Sequence, residues 1–89
     1  MKLSKCCIVR GRVQGVFFRA TTRQQAMAAN LGGYAKNLAD GSVEVFLSGE
    51  QDTVETLCEW LWQGPPMAEV SQVECEIVEY VPLHEFQAL

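Results

Sequence analysis

The sequence predicts an α+β domain in which two helices cover one face of a mostly antiparallel sheet, in the order β-α-β-β-α-β. Three observations predict it. Stretches of two-residue and of helical apolar spacing alternate along the chain, an Asp-Gly step separates two strand-like runs, and breaks at 30–33 and at 64–66 close the helical stretches.

The elements follow in order. Leu3–Val13 is rich in β-formers and has no helical period; Cys7, Val9 and Gly11 share one face of the strand it predicts. Gly11–Arg19, GRVQGVFFR, reads as a loop with glycines at both turns. Phe18, Thr22, Ala26 and Ala29 then recur at helical spacing, with Thr22 and Gln25 reading as a capping box. The helix is expected to stop near Asn30–Gly33, where Asn and Gly tolerate a left-handed cap. Tyr34–Leu38 and Ser42–Ser48 are the next strands, the second burying Val43, Val45 and Leu47, and Asp40–Gly41 is a hairpin signal between them. In the second helix, Asp52–Gln63, the residues Val54, Leu57, Cys58 and Leu61 form an apolar stripe, and Gly64-Pro65-Pro66 ends it. Gln72–Tyr80 is a strand with Val73, Cys75 and Ile77 alternating against Glu74 and Glu76; Glu85–Leu89 is a short last one. This is the split βαβ order of ferredoxin-like domains, with the second sheet face left to solvent. That superfold fixes no activity.

Composition narrows the function classes. The 89 residues suffice for a single domain, expected to span 1–89. A net charge of −4 argues against nucleic acid as partner, and no apolar run has the length of a membrane span. The N-terminus lacks the apolar run and cleavage site of a signal peptide, so the protein is read as cytoplasmic. All seven Lys and Arg residues fall at or before Lys36, which puts any anion site in the first half of the chain. Cys6, Cys7, Cys58 and Cys75 fit no common zinc spacing and read as small buried or half-buried thiols; spacing alone assigns no disulfide. With His84 the lone histidine, no metal site and no cofactor are expected.

The loop before the first helix is the candidate site. A helix N-terminus presents unsatisfied N–H groups and partial positive charge, and a glycine turn aims further amides inward as an anion nest. Here those amides belong to Gln14, Gly15, Val16, Phe17 and Phe18. Arg19 falls at the loop–helix junction, where its planar fork suits two phosphate oxygens. Arg10, Arg12 and Arg23 read as surface charges that steer anions. Asn37, just before the hairpin, is the second candidate, because an amide can accept from water while donating elsewhere.

Two stretches resemble the signatures of the acylphosphatase family: Val9–Arg19 as a whole, and Gly33–Val43 with Gly49 beyond it. Together they cover about a third of the chain. The resemblance implies that Arg19 binds substrate phosphate with the loop amides and that Asn37 orients the attacking water. Small acyl phosphates such as acetyl phosphate, carbamoyl phosphate and 1,3-bisphosphoglycerate are the implied substrates; inorganic phosphate or sulfate is expected as a ligand at the helix N-terminus, and the chain is read as a monomer. The ending Phe86-Gln87-Ala88-Leu89 departs from the family's aromatic followed by an apolar–basic pair. Two rival readings share the fold. An anion-binding regulatory module would need Arg19 but not Asn37. An RNA-binding domain would need a basic aromatic sheet face, where this sequence places Phe46 beside Glu44.

Overall fold

The computed structural model describes residues 1–89. The elements are β1 (Lys2–Arg12), α1 (Phe18–Ala28), β2 (Gly32–Asn37), β3 (Val43–Glu50), α2 (Gln51–Leu61), β4 (Glu69–Val78) and β5 (Phe86–Ala88). They build a five-stranded sheet in the order β4-β1-β3-β2-β5, antiparallel except where β5 runs parallel to β2. Both helices lie on one face, which is the ferredoxin-like arrangement expected. The core sits between them: Cys7 and Val9 of β1, Val43, Val45 and Leu47 of β3, and Ala35 of β2 meet Phe18 and Ala26 of α1 and Val54, Leu57 and Leu61 of α2. No helix is long and apolar enough to cross a membrane.

β1 lies inside the sheet, between β4 and β3, so its helix-facing Leu3, Cys7 and Val9 are buried. At Arg10/Gly11 its register with β4 shifts by a bulge. Gly11 has φ 125°, and a Cβ there would lie 2.1 Å from the Glu69 carbonyl oxygen, so no side chain fits. β1 stays paired with β4 through Arg12, and the chain then enters the loop that precedes α1.

α1 starts without a side-chain cap. The capping box expected at Thr22 and Gln25 does not form: Thr22 lies inside the helix, buried, and its hydroxyl donates back to the Phe18 carbonyl at 2.7 Å. The C-terminus ends as the Asn predicts. Asn30 takes φ 59°, its amide donates to Met27 and that of Leu31 to Ala26, a Schellman motif that tucks Leu31 into the core.

Three further expectations are revised. The sheet face opposite the helices is not wholly open, because the 79–85 segment crosses it to carry the chain from β4 at one edge to β5 at the other. Ser4 and Ser48, both buried, hold it: Ser4 donates to Ser48 at 3.0 Å, Ser48 to the Val81 carbonyl, and the Val81 amide to Ser4 at 3.0 Å. β4 buries little despite its alternation, since it is an edge strand; Ile77 is 67% exposed. And two of the cysteines read as thiols, Cys7 and Cys75, directly opposite each other on β1 and β4, form a disulfide, leaving Cys6 and Cys58 free.

Candidate active site

The 13–18 loop is held from beneath and open above. Val13, Val16 and Phe18 are buried, each worth about 1.5–3 kcal/mol of apolar burial, while Gly15 is exposed and Phe17 is 74% exposed. The residues between the anchors alternate through left-handed geometry, Gly15 at φ 75° and Phe17 at φ 63°. Gly15 adopts this conformation without strain, whereas Phe17 does so against the preference of its Cβ. Alternation of this kind curls successive amides toward one concavity. The amides of Gln14 to Phe18 donate to no protein carbonyl, and the first loop–helix bond is the Thr21 amide to the Phe17 carbonyl, at 3.0 Å. Five N–H groups at the positive end of α1 are thus left for an anion.

Arg19, the second residue of α1, is half-buried and donates to the carbonyl oxygen of Leu89. One turn on, Arg23 Nε donates to the Phe86 carbonyl at 3.2 Å. Arg23 was expected as a surface charge; it also docks α1 on β5. Arg10 pairs with Glu74 on the exposed sheet surface, and Arg12 is exposed.

Asn37 closes β2 and is exposed. The turn after it is tightly bonded: the Leu38 amide donates to the Ser42 carbonyl at 2.9 Å and Gly41 to Leu38 at 3.2 Å. Asp40 Oδ1 accepts from the Ser42 amide at 2.9 Å and the Ser42 hydroxyl at 2.5 Å. The hydroxyl first and the amide second hold the Asp40 carboxyl below its ordinary range.

The Gln14 side chain joins the two parts. Its Nε2 donates to the Leu38 carbonyl at 2.8 Å and the Ser42 carbonyl at 2.9 Å, so the amide loop is clamped to the turn that begins one residue after Asn37. The sequence reading used Gln14 only for its backbone. A long carboxamide in a glycine turn, where Asn, Asp or Ser would bond locally, was the available signal. The open sheet face carries a second aromatic that the reading passed over: Tyr34 stacks on Phe46 with ring centroids 5.6 Å apart. Its hydroxyl donates to Glu44 at 2.6 Å, and burial, then Glu44, pushes the phenol well above its usual range.

The widest surface groove lies elsewhere, between α1 and the last residues, lined by Arg23, Met27, His84 and Phe86 among others. It offers a phosphoryl group one guanidinium and no row of amides, so the 13–18 loop is the better candidate.

A sequence model of the acylphosphatase family matches residues 5–88. The chain belongs to the acylphosphatase family. Among its relatives, an acylphosphatase of Chromohalobacter salexigens is 56% identical over 79 residues, 89% of this chain and 88% of the relative. One of Nitrosococcus oceani is 47% identical over 81 residues, 91% of each. A solved acylphosphatase structure from Coxiella burnetii superposes with a TM-score of 0.95 at 41% identity, covering 99% of this chain and 93% of the other. One from Bacillus subtilis gives 0.93 at 30%, covering 100% and 99%. Sheet order and both helices are therefore those of acylphosphatases.

Proposed function

We propose that this chain hydrolyses the carboxyl–phosphate bond of small acyl phosphates, to carboxylate and inorganic phosphate, by in-line attack of water and without a metal ion. The observation that carries the reading is the run of five undonated amides leading into Arg19, clamped through Gln14 to the Asn37 turn.

In this mechanism the amides of Gln14 to Phe18 and the Arg19 guanidinium bind the phosphoryl oxygens and stabilise the charge that spreads over them in the transition state. Arg19 exchanges its Leu89 contact for the phosphate. Asn37 positions the water opposite the acyl oxygen. The water oxygen bonds to phosphorus as the phosphorus–acyl oxygen bond breaks, and the carboxylate leaves with the electron pair. Its conjugate acid has a pKa of about 4–5, so it departs without a proton donor. The water proton passes to a phosphate oxygen.

Small acyl phosphates are thus the substrates, with inorganic phosphate and sulfate competing for the same amides. The net charge of −4, and a sheet face whose two aromatics stack on each other beside Glu44, weigh against nucleic acid as a partner. No membrane partner is proposed, and the protein acts as a cytoplasmic monomer.

The test is hydrolysis of benzoyl phosphate with and without exhaustive chelation, beside glycerol phosphate. Turnover should survive chelation and be competitively inhibited by phosphate, with glycerol phosphate scarcely cleaved. Activity restored only by added magnesium or zinc, or comparable kcat/KM on the two substrates, would overturn the mechanism.

A further inference from the structure

The three sulfurs of Cys7, Cys58 and Cys75 meet outside the candidate active site. Cys7, fully buried in the middle of β1, faces Cys75 across the β1–β4 ladder, and the Cys58 thiol of α2 approaches Cys7 to 3.6 Å between sulfurs. All three sulfurs lie within 4.8 Å of one another. That shape is informative. Attack of the Cys58 thiol on the disulfide would need the three in line, with the outer two about 6 Å apart. In a three-sulfur cage, thiolates about 2.3 Å from one ion stand about 4 Å apart; Cys58 already stands near that spacing from Cys7, and Cys75, bonded to Cys7, would reach it once the bond is reduced.

We propose that, once a small thiol has reduced the Cys7–Cys75 bond, Cys7, Cys58 and Cys75 bind one soft d10 cation, with copper(I) the best match. Reduction consumes two thiol molecules and yields the two cysteine thiols and one small-molecule disulfide. Binding replaces the thiol protons with the ion. The donor set selects for softness: it is all sulfur, and the lone histidine, His84, lines the groove beside α1 and β5 instead. Three thiolates complete a trigonal copper(I) site, whereas zinc asks for a fourth ligand. The approach is a surface groove flanked by Lys5, Glu55 and Glu59. Lys5, 4.0 Å from Glu55, places a positive charge beside a complex that carries net negative charge. The donors come from β1, α2 and β4, so the site exists only in the folded chain, and an ion held there should stabilise the fold.

The test uses the full chain, reduced and kept anaerobic, titrated with copper(I) against a coloured copper(I) chelator. One equivalent should be retained and the melting temperature should rise. Cys58→Ser and Cys75→Ser should each weaken binding on the order of a hundredfold, since even the loss of an outer-shell partner costs ten- to a hundredfold. Cys75 is exposed on the edge strand, so its variant folds even if a polar atom at Cys58 disturbs packing. Cys6→Ser is the control, because Cys6 lies on the opposite sheet face beside Phe46, and it should bind as wild type. Failure to retain one equivalent, or wild-type affinity in both the Cys58 and Cys75 variants, would overturn the proposal. So would an equal loss in Cys6→Ser, or displacement of copper(I) by equimolar zinc.

Discussion

Arg19 and Asn37 are asked to do different work, and their variants should fail differently. Arg19→Ala should lower kcat/KM for benzoyl phosphate on the order of a hundredfold or more, because a forked charge-assisted contact to phosphate is lost. Arg19→Lys should recover little, since an ammonium cannot fork. Wild-type kinetics in either would remove Arg19 from the mechanism. Asn37→Ala should reduce kcat while leaving the inhibition constant of inorganic phosphate nearly unchanged, as expected of a group that acts on water in the transition state. Parallel loss of both would make it a phosphate ligand. The places of these two residues in the fold were legible in the sequence, because each stands at a local landmark, a loop–helix junction and a strand end before a turn. The Cys7–Cys75 pairing was not, because it joins residues 68 apart whose apposition only the sheet order creates.

The connection between loop and hairpin is where function meets secondary structure. Gln14 reaches carbonyls 24 and 28 residues away, a distance no local pattern encodes, so only its place in a glycine turn could be read beforehand. Gln14→Ala should lower kcat about ten- to a hundredfold by letting the amides drift from Asn37. Gln14→Asn, one methylene short, should not restore it. Full activity in the alanine variant would mean that the loop keeps its shape unaided. The hairpin adds a pH dependence of its own. A carboxyl whose pKa is lowered by folding stabilises the fold above its ordinary value, and that contribution fades as pH falls through the lowered one. Ser42→Ala removes the larger of the two causes, so it should lower the melting temperature at pH 7 and lower it less in acid, below the ordinary carboxylate range. An equal drop at both would assign the loss to packing, since Ser42 is buried.

At the scale of the whole molecule, the β-α-β-β-α-β order, the helix-covered face and the hairpin were legible, because apolar periodicity reports which side of each element is covered. The cost of edge position was not: Val73, Cys75 and Ile77 alternate as a core strand would, yet β4 has only one neighbour in the sheet. Nor could the serines reveal that a returning segment would bury them, with Ser4 and Val81 standing 77 residues apart. That strap has a kinetic meaning. The first strand made lies inside the sheet, between β4 and β3, and it waits for β3, then β4, then the strap before it is enclosed. Each of these steps brings distant parts of the chain together before any contact repays the entropy of the closure. Refolding should therefore be slow for a chain of this size, in milliseconds to seconds rather than the microseconds of a helical bundle, as stopped-flow fluorescence of Trp60 and Trp62 would report. The arrangement that fastens the ends of the chain over its centre also delays its assembly.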